Sequence, residues 1–128
     1  MYENDVLLER LLQILEALER ITERFESISV PQDFCDTKAG REHLDSICMV
    51  LLAVGESFKQ INQKTDEKFL IKYPEIPWRK VMGLRNVLAH VYFEVDPEQI
   101  YSICKDDIPL LIDTVQQMIQ DLEDGTTS

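Results

Sequence analysis

Residues 8–28 read LERLLQILEALERITERFESI, and this stretch decides the fold. Its apolar positions Leu8, Leu11, Leu15, Leu18, Ile21, Phe25 and Ile28 step by three or four, the period of a helix with one buried stripe. Asn4 or Asp5 is placed to cap the start, and Pro31 closes the helical region. A second helix is expected from Thr37 to Gln63, with Leu44, Ile47, Leu51, Val54, Phe58 and Ile61 buried. Gly55 lies inside it, where close packing of helices is the simplest reason for a glycine. A short third helix spans about Asp66 to Lys72 and stops before Pro74.

Pro77 suits the first position of a fourth helix, where its missing N–H is no loss. That helix turns Trp78, Val81, Leu84 and Leu88 inward. Asp96-Pro97-Glu98-Gln99 reads as a fresh start, with Asp as cap, Pro at the first position and Gln three residues after the cap. The last helix reaches about Leu122, with a kink expected at Pro109. No segment sustains period-two alternation. The expected architecture is an all-α, up-and-down bundle of four to five helices, and residues 1–128 form one domain without repeats or linkers.

The chain has 13 basic and 24 acidic residues, a net charge of −11, with 45% apolar and 29% charged content. Such a composition belongs to a folded domain, and it excludes a protein that grips nucleic acid through a broad basic face. The acidity is uneven. Residues 96–128 hold eight acids against the single base Lys105, whereas 77–93 contain no acid and three bases, Arg79, Lys80 and Arg85. A positive island on a negative body attracts phosphate locally. Cys35, Cys48 and Cys104 show no CxxC or His-Cys spacing, so neither a disulfide framework nor a zinc site is expected, and no other metal is called for. The longest apolar run, Ile47 to Val54, is too short to span a bilayer, and the first residues lack the basic start of a secretory signal. A cytoplasmic location follows as the expectation.

Arg85, Asn86, His90 and Tyr92 gather a permanent cation, an amide, a proton-transfer group and a phenol into eight residues. Asn86 and His90, four apart, share one helical stripe, and Arg85 and Tyr92, seven apart, share another. Arg85 and His90 are five apart, roughly 140° around an ideal helix. They meet in one narrow pocket only if the helix frays near His90 or a second subunit supplies the missing partner. Metal-free RNA cleavage needs a base for the ribose 2′-OH, a cation for the phosphorane and an acid for the leaving oxygen. His90 suits either proton role and Arg85 suits the cation. A two-fold dimer would supply two of each. Arg79 and Lys80 are the natural phosphate or RNA contacts beside them.

Gly55-Glu56, Ile76-Pro77-Trp78-Arg79, the run Met82 to Phe93 and Val95-Asp96 together resemble the HepT-like HEPN toxins. The likeness runs from the first helix to Ile108–Leu111 and is most specific over 76–96. It implies a HEPN-type bundle that forms a two-fold homodimer, with both Arg-x4-His elements meeting in a cleft. It also implies a metal-independent endoribonuclease, the toxin of a type VII-like toxin–antitoxin pair, with Arg85 and His90 catalytic. Tyr92 would accept AMP from ATP, transferred by a MntA-type nucleotidyltransferase antitoxin. No cofactor of its own is implied.

Plainer readings stand beside these. Arg85 can pair with Glu56 or a C-terminal acid, and Glu56 can equally orient the guanidinium. Tyr92 can be a core aromatic, and Asn86 either caps locally or orients His90. His43 reads as a solvated-face residue, and Trp78 as core or as a base-stacking platform. A non-catalytic nucleotide-binding or interaction subunit of a two-component nucleotidyltransferase is the rival function. A purely structural bundle with Arg85 in a buried ion pair is the third.

Overall fold

The computed structural model describes residues 3–90 and 96–125, without the side chains of Arg85, Val87, Ala89 and His90. α1 spans Asn4–Phe25, α2 Asp33–Asp36, α3 Lys38–Lys64, α4 Trp78–His90, α5 Pro97–Ser102 and α6 Ile108–Glu123. Among the described residues there is no strand, and the architecture is the expected all-α bundle. α1 lies against α3 and α6, and α3 also meets α2, α4 and α5. The core gathers between them around Leu11, Leu18, Ile21, Ile47, Phe58 and Met118.

The buried stripe of α1 is rotated from its expected course. Leu7, Leu11, Ile14, Ala17, Leu18 and Ile21 are buried, whereas Leu8, Leu15 and Phe25 are half-buried and pack on the core's edge. With α3 and α6 both against α1, the buried arc is wide enough to take in Leu7 and Ile14. A count of threes and fours from Leu8 followed one edge of that arc. α1 starts after Glu3, which makes no side-chain cap, so neither Asn4 nor Asp5 caps it. The helix also stops at Phe25, well before Pro31, and Ile28 turns into the core. The Asp33 carboxylate then accepts from the Ser29 and Val30 N–H groups at 2.8 and 3.2 Å and nucleates α2, which sequence reading missed.

α3 begins as expected, because the Thr37 hydroxyl accepts from the Gly40 N–H at 2.9 Å. A Cβ at Gly40 would run into the Asp33 carbonyl, so only glycine lets α2 fold back on the first turn of α3. Ile47, Leu51, Val54, Phe58 and Ile61 are buried along it, while Leu44 is half-buried.

The helix expected over Asp66–Lys72 is a 3-10 turn over Leu70–Lys72. α3 instead ends in paired backward hydrogen bonds, Glu67 N–H to Asn62 O at 2.8 Å and Asp66 N–H to Gln63 O at 3.3 Å. This closure needs a left-handed residue past the cap, usually Gly; here Asp66 (φ 53°) and Glu67 (φ 61°) both adopt it. A helix cannot continue through them.

α4 starts one residue later than expected. The Pro77 carbonyl accepts from the Lys80 and Val81 N–H groups, so Pro77 precedes the helix and Trp78 opens it. The Trp78 indole donates to the Tyr73 carbonyl at 2.9 Å and its ring lies 4.9 Å from that of Phe58. The Tyr73 hydroxyl donates to Asp121 at 2.7 Å, tying this connection to α6. Leu88 is buried, with Trp78, Val81 and Leu84 half-buried against the core.

Asp96 caps α5 through the Glu98 N–H at 2.9 Å, with Pro97 at the first position, as the sequence implies. The interruption expected at Pro109 takes the form of a π-helical turn, Ile103–Asp107, between α5 and α6. Pro109 has no N–H for the carbonyl four residues back, which loosens the turn before it.

Ile14 is fully inside and Leu15 at the margin, so Ile14→Ala should cost about 2–5 kcal/mol in urea unfolding and Leu15→Ala clearly less. Burial, with a smaller push from Asp45, raises the Cys48 thiol to about 11, and burial beside Cys48 raises Cys104 to about 12. Both thiols bind their protons more tightly folded than unfolded. Their contribution is therefore complete below about pH 9 and is lost as pH climbs toward 11 and 12. Cys48→Ala and Cys104→Ala should flatten the alkaline fall in unfolding midpoint seen for the parent chain.

Candidate functional site

The Phe58–Trp78 contact joins the end of α3 to the start of α4, so the two helices run antiparallel. Between them opens a groove of about 660 Å³. α3 lines it with Lys59, Asn62 and Gln63, and its closing turn adds Asp66 and Glu67. α4 contributes Arg79, Met82, Gly83 and Asn86, positions that recur on one helical stripe. His90, the last residue of α4, falls four positions beyond Asn86 on the same stripe.

Position 85 falls elsewhere around the helix, four residues after Val81 and three before Leu88. Roughly 140° separates it from position 90 on such a helix. The backbone stays α-helical through His90, so no unwinding before that residue brings positions 85 and 90 to one side.

Arg79 and Asn86 are thus brought together, both exposed in the groove. Lys80 is exposed but outside the groove's lining, because one residue turns it about 100° from Arg79. Glu56 is half-buried on α3, one turn before Lys59 and toward the end of α4 that carries positions 85 and 90. His43, expected on a solvated face, is half-buried. Trp78 belongs to the core edge. Tyr92 lies outside the described residues. Sequence reading missed Lys59, Asn62, Gln63, Asp66 and Glu67. The polar run Lys59-Gln-Ile-Asn-Gln-Lys64 at the end of an apolar-striped helix was the available signal.

A family model described as Ribonuclease HepT-like matches residues 10–118, from the first turns of α1 to the last turns of α6. The chain belongs to the HepT-like ribonuclease family. Its HEPN-type bundle places Arg85 and His90 on α4, inside the matched region. A protein of Methanocaldococcus jannaschii, named "Putative RNase MJ1380", is 33% identical over 77% of this chain and 84% of its own length. "Probable ribonuclease HepT" of Thermococcus cleftensis is 37% identical over 77% of this chain and 82% of its own. "Putative RNase MJ0127", also of M. jannaschii, is 29% identical over 88% and 87%. No solved structure matches the chain.

Among the described residues no group of three or more His, Cys, Asp or Glu is set to hold a metal ion. No helix among them is long and apolar enough to cross a membrane.

Gly83 sits mid-helix, and a Cβ added there would meet nothing within 4 Å. The HepT-like fold of this chain therefore has no steric need for glycine at that position. Gly83→Ala should raise stability by about 0.5–1 kcal/mol, read as a higher thermal midpoint.

Proposed function

We propose that this HepT-like protein is an endoribonuclease toxin that works as a two-fold homodimer in the cytoplasm. The observation that carries this reading is the register of α4: a helix regular through His90 holds positions 85 and 90 on different sides. A second copy, turned about a two-fold axis, supplies an Arg85 opposite the first copy's His90, and the reverse.

In that cleft one His90 imidazole takes the proton from a ribose 2′-OH. The freed oxygen attacks the adjoining phosphorus, and both Arg85 guanidinium groups neutralise the charge that builds on the phosphorane. The 5′-oxygen leaves with a proton from the partner copy's imidazole. The products are a 2′,3′-cyclic phosphate and a 5′-hydroxyl, with no metal and no cofactor taking part. Asn86, one turn before His90, orients the imidazole, and Glu56 orients the guanidinium. Arg79 holds the flanking phosphate; Lys80, off the groove, serves only a more distant one.

Neutralisation would come from a MntA-type nucleotidyltransferase antitoxin that moves AMP from ATP to Tyr92. The added phosphate brings bulk and negative charge to an anion-binding cleft and so repels RNA. The acidity of the chain, net −11, favours one other reading: a non-catalytic nucleotide-binding subunit of the same two-component pair.

Purified protein free of its partner should cut RNA in EDTA and leave cyclic phosphate ends, and His90→Ala should abolish cleavage while the fold persists. Undiminished cutting by that variant removes the chemistry assigned to His90. Absence of cutting by the parent, with ATP binding by calorimetry, selects the nucleotide-binding subunit. Co-expression with the neighbouring nucleotidyltransferase should add whole AMP increments to the intact mass, and Tyr92→Phe should lose them.

A further inference from the structure

Three residues of the α3–α4 groove are poor choices for the fold. Asp66 and Glu67 hold left-handed backbone, which glycine adopts without strain, and Gly83 weakens the middle of a helix with open space above it. Stability alone would put Gly at 66 and Ala at 83. Each poor choice lies on the same groove, so something that occupies it needs carboxylates at 66 and 67 and bare backbone at 83.

The remaining lining indicates what fits. Lys59 and Arg79 face in from opposite helices, and Asn62 and Asn86 offer amides. A seam between copies of this chain would be more apolar at its centre, with Lys, Asp and Glu depleted. A bare phosphodiester strand calls for cations without acids. A nucleotide unit needs both: cations for its phosphates and acceptors for the N–H edge of its base. The open helical backbone at Gly83 lets a flat ring approach closely. Among the four bases, only guanine presents two N–H donors side by side, on N1 and N2, which match the paired oxygens of a carboxylate. Unpaired bases in RNA are read on this edge.

We infer that the α3–α4 groove is a base-selecting subsite that takes an unpaired guanosine of the RNA, its donor edge on Asp66 or Glu67 and its phosphates on Lys59 and Arg79. The inference rests on the nuclease reading for its place in catalysis. His90 ends the stripe of α4 that lines the groove, eleven residues or about 16 Å along the axis from Arg79, so the bound guanosine lies two or three nucleotides from the scissile phosphate. An acidic chain with little general affinity for RNA thereby gains selectivity from one nucleotide.

The test uses a set of RNA oligonucleotides differing only in one base within three nucleotides of the cut, with product ends mapped for the parent, Asp66→Asn, Glu67→Gln and Gly83→Ala. The parent should prefer guanine, and at least one carboxamide variant should lose that preference roughly tenfold. Gly83→Ala should melt higher yet lose the preference too. Cleavage without a guanine preference, or a preference intact in all three variants, overturns the subsite and leaves the nuclease standing. Gly83→Ala that shifts the protein toward monomer in sedimentation, with preference intact, overturns it in favour of a seam between copies. Should the parent cut no RNA, the nuclease reading fails by itself. Guanosine 5′-monophosphate binding by calorimetry, weakened in the same variants, then upholds the groove, and equal binding of all four monophosphates or none overturns it.

Discussion

The tilted ring contact of Phe58 with Trp78 governs the rest of the molecule, because it fixes where α4 begins and at what rotation. A helix held at its first residue has every later direction settled by 100° steps. Trp78 is pinned twice, by that ring contact and by its indole bond to the Tyr73 carbonyl, and Tyr73 is tied in turn to Asp121 on α6. With Leu88 buried two residues from its end, α4 has no freedom to roll. One stripe lines the groove and leads to position 90, and position 85 falls roughly 140° from that position around the axis. The two positions proposed for catalysis thereby fall on different sides of the helix in each chain.

Much of this bundle was legible in the residues themselves. The apolar period gave α1, α3 and α4, Thr37 and Asp96 announced two helix starts, and Pro109 marked the break before α6. What escaped were features set by contact between elements. The stripe of α1 is rotated because two helices press on it at once, and no count along a single strand of sequence contains the second neighbour. α2 exists because a side chain, Asp33, closes on backbone N–H groups ahead of it. Of the left-handed pair, Asp66 is a residue that tolerates such backbone, whereas Glu67 carries no local signal for it.

The site was legible to a different degree. The Arg85–His90 spacing and its angular conflict came directly from the sequence, and the family assignment places both residues in a ribonuclease fold. The groove beside them did not, because over half of its lining comes from α3 and its closing turn, twelve to twenty residues upstream of Arg79. Proximity there is a product of antiparallel packing, and charge counting along the chain had singled out Arg79 and Lys80 as equals. Helical rotation separates them.

The π-helical turn over Ile103–Asp107 has a consequence for how this chain can vary. Such a turn holds one residue more than an α-helical turn over the same rise, so it amounts to an insertion absorbed in place. Removing a single residue from it should restore plain α-geometry without rotating Ile108, Leu111 or Val115 off the core. The same deletion within α1 or α3 would swing every following side chain by about 100° and expose the interior. Length differences among natural variants of this fold should accordingly concentrate at that one bulge.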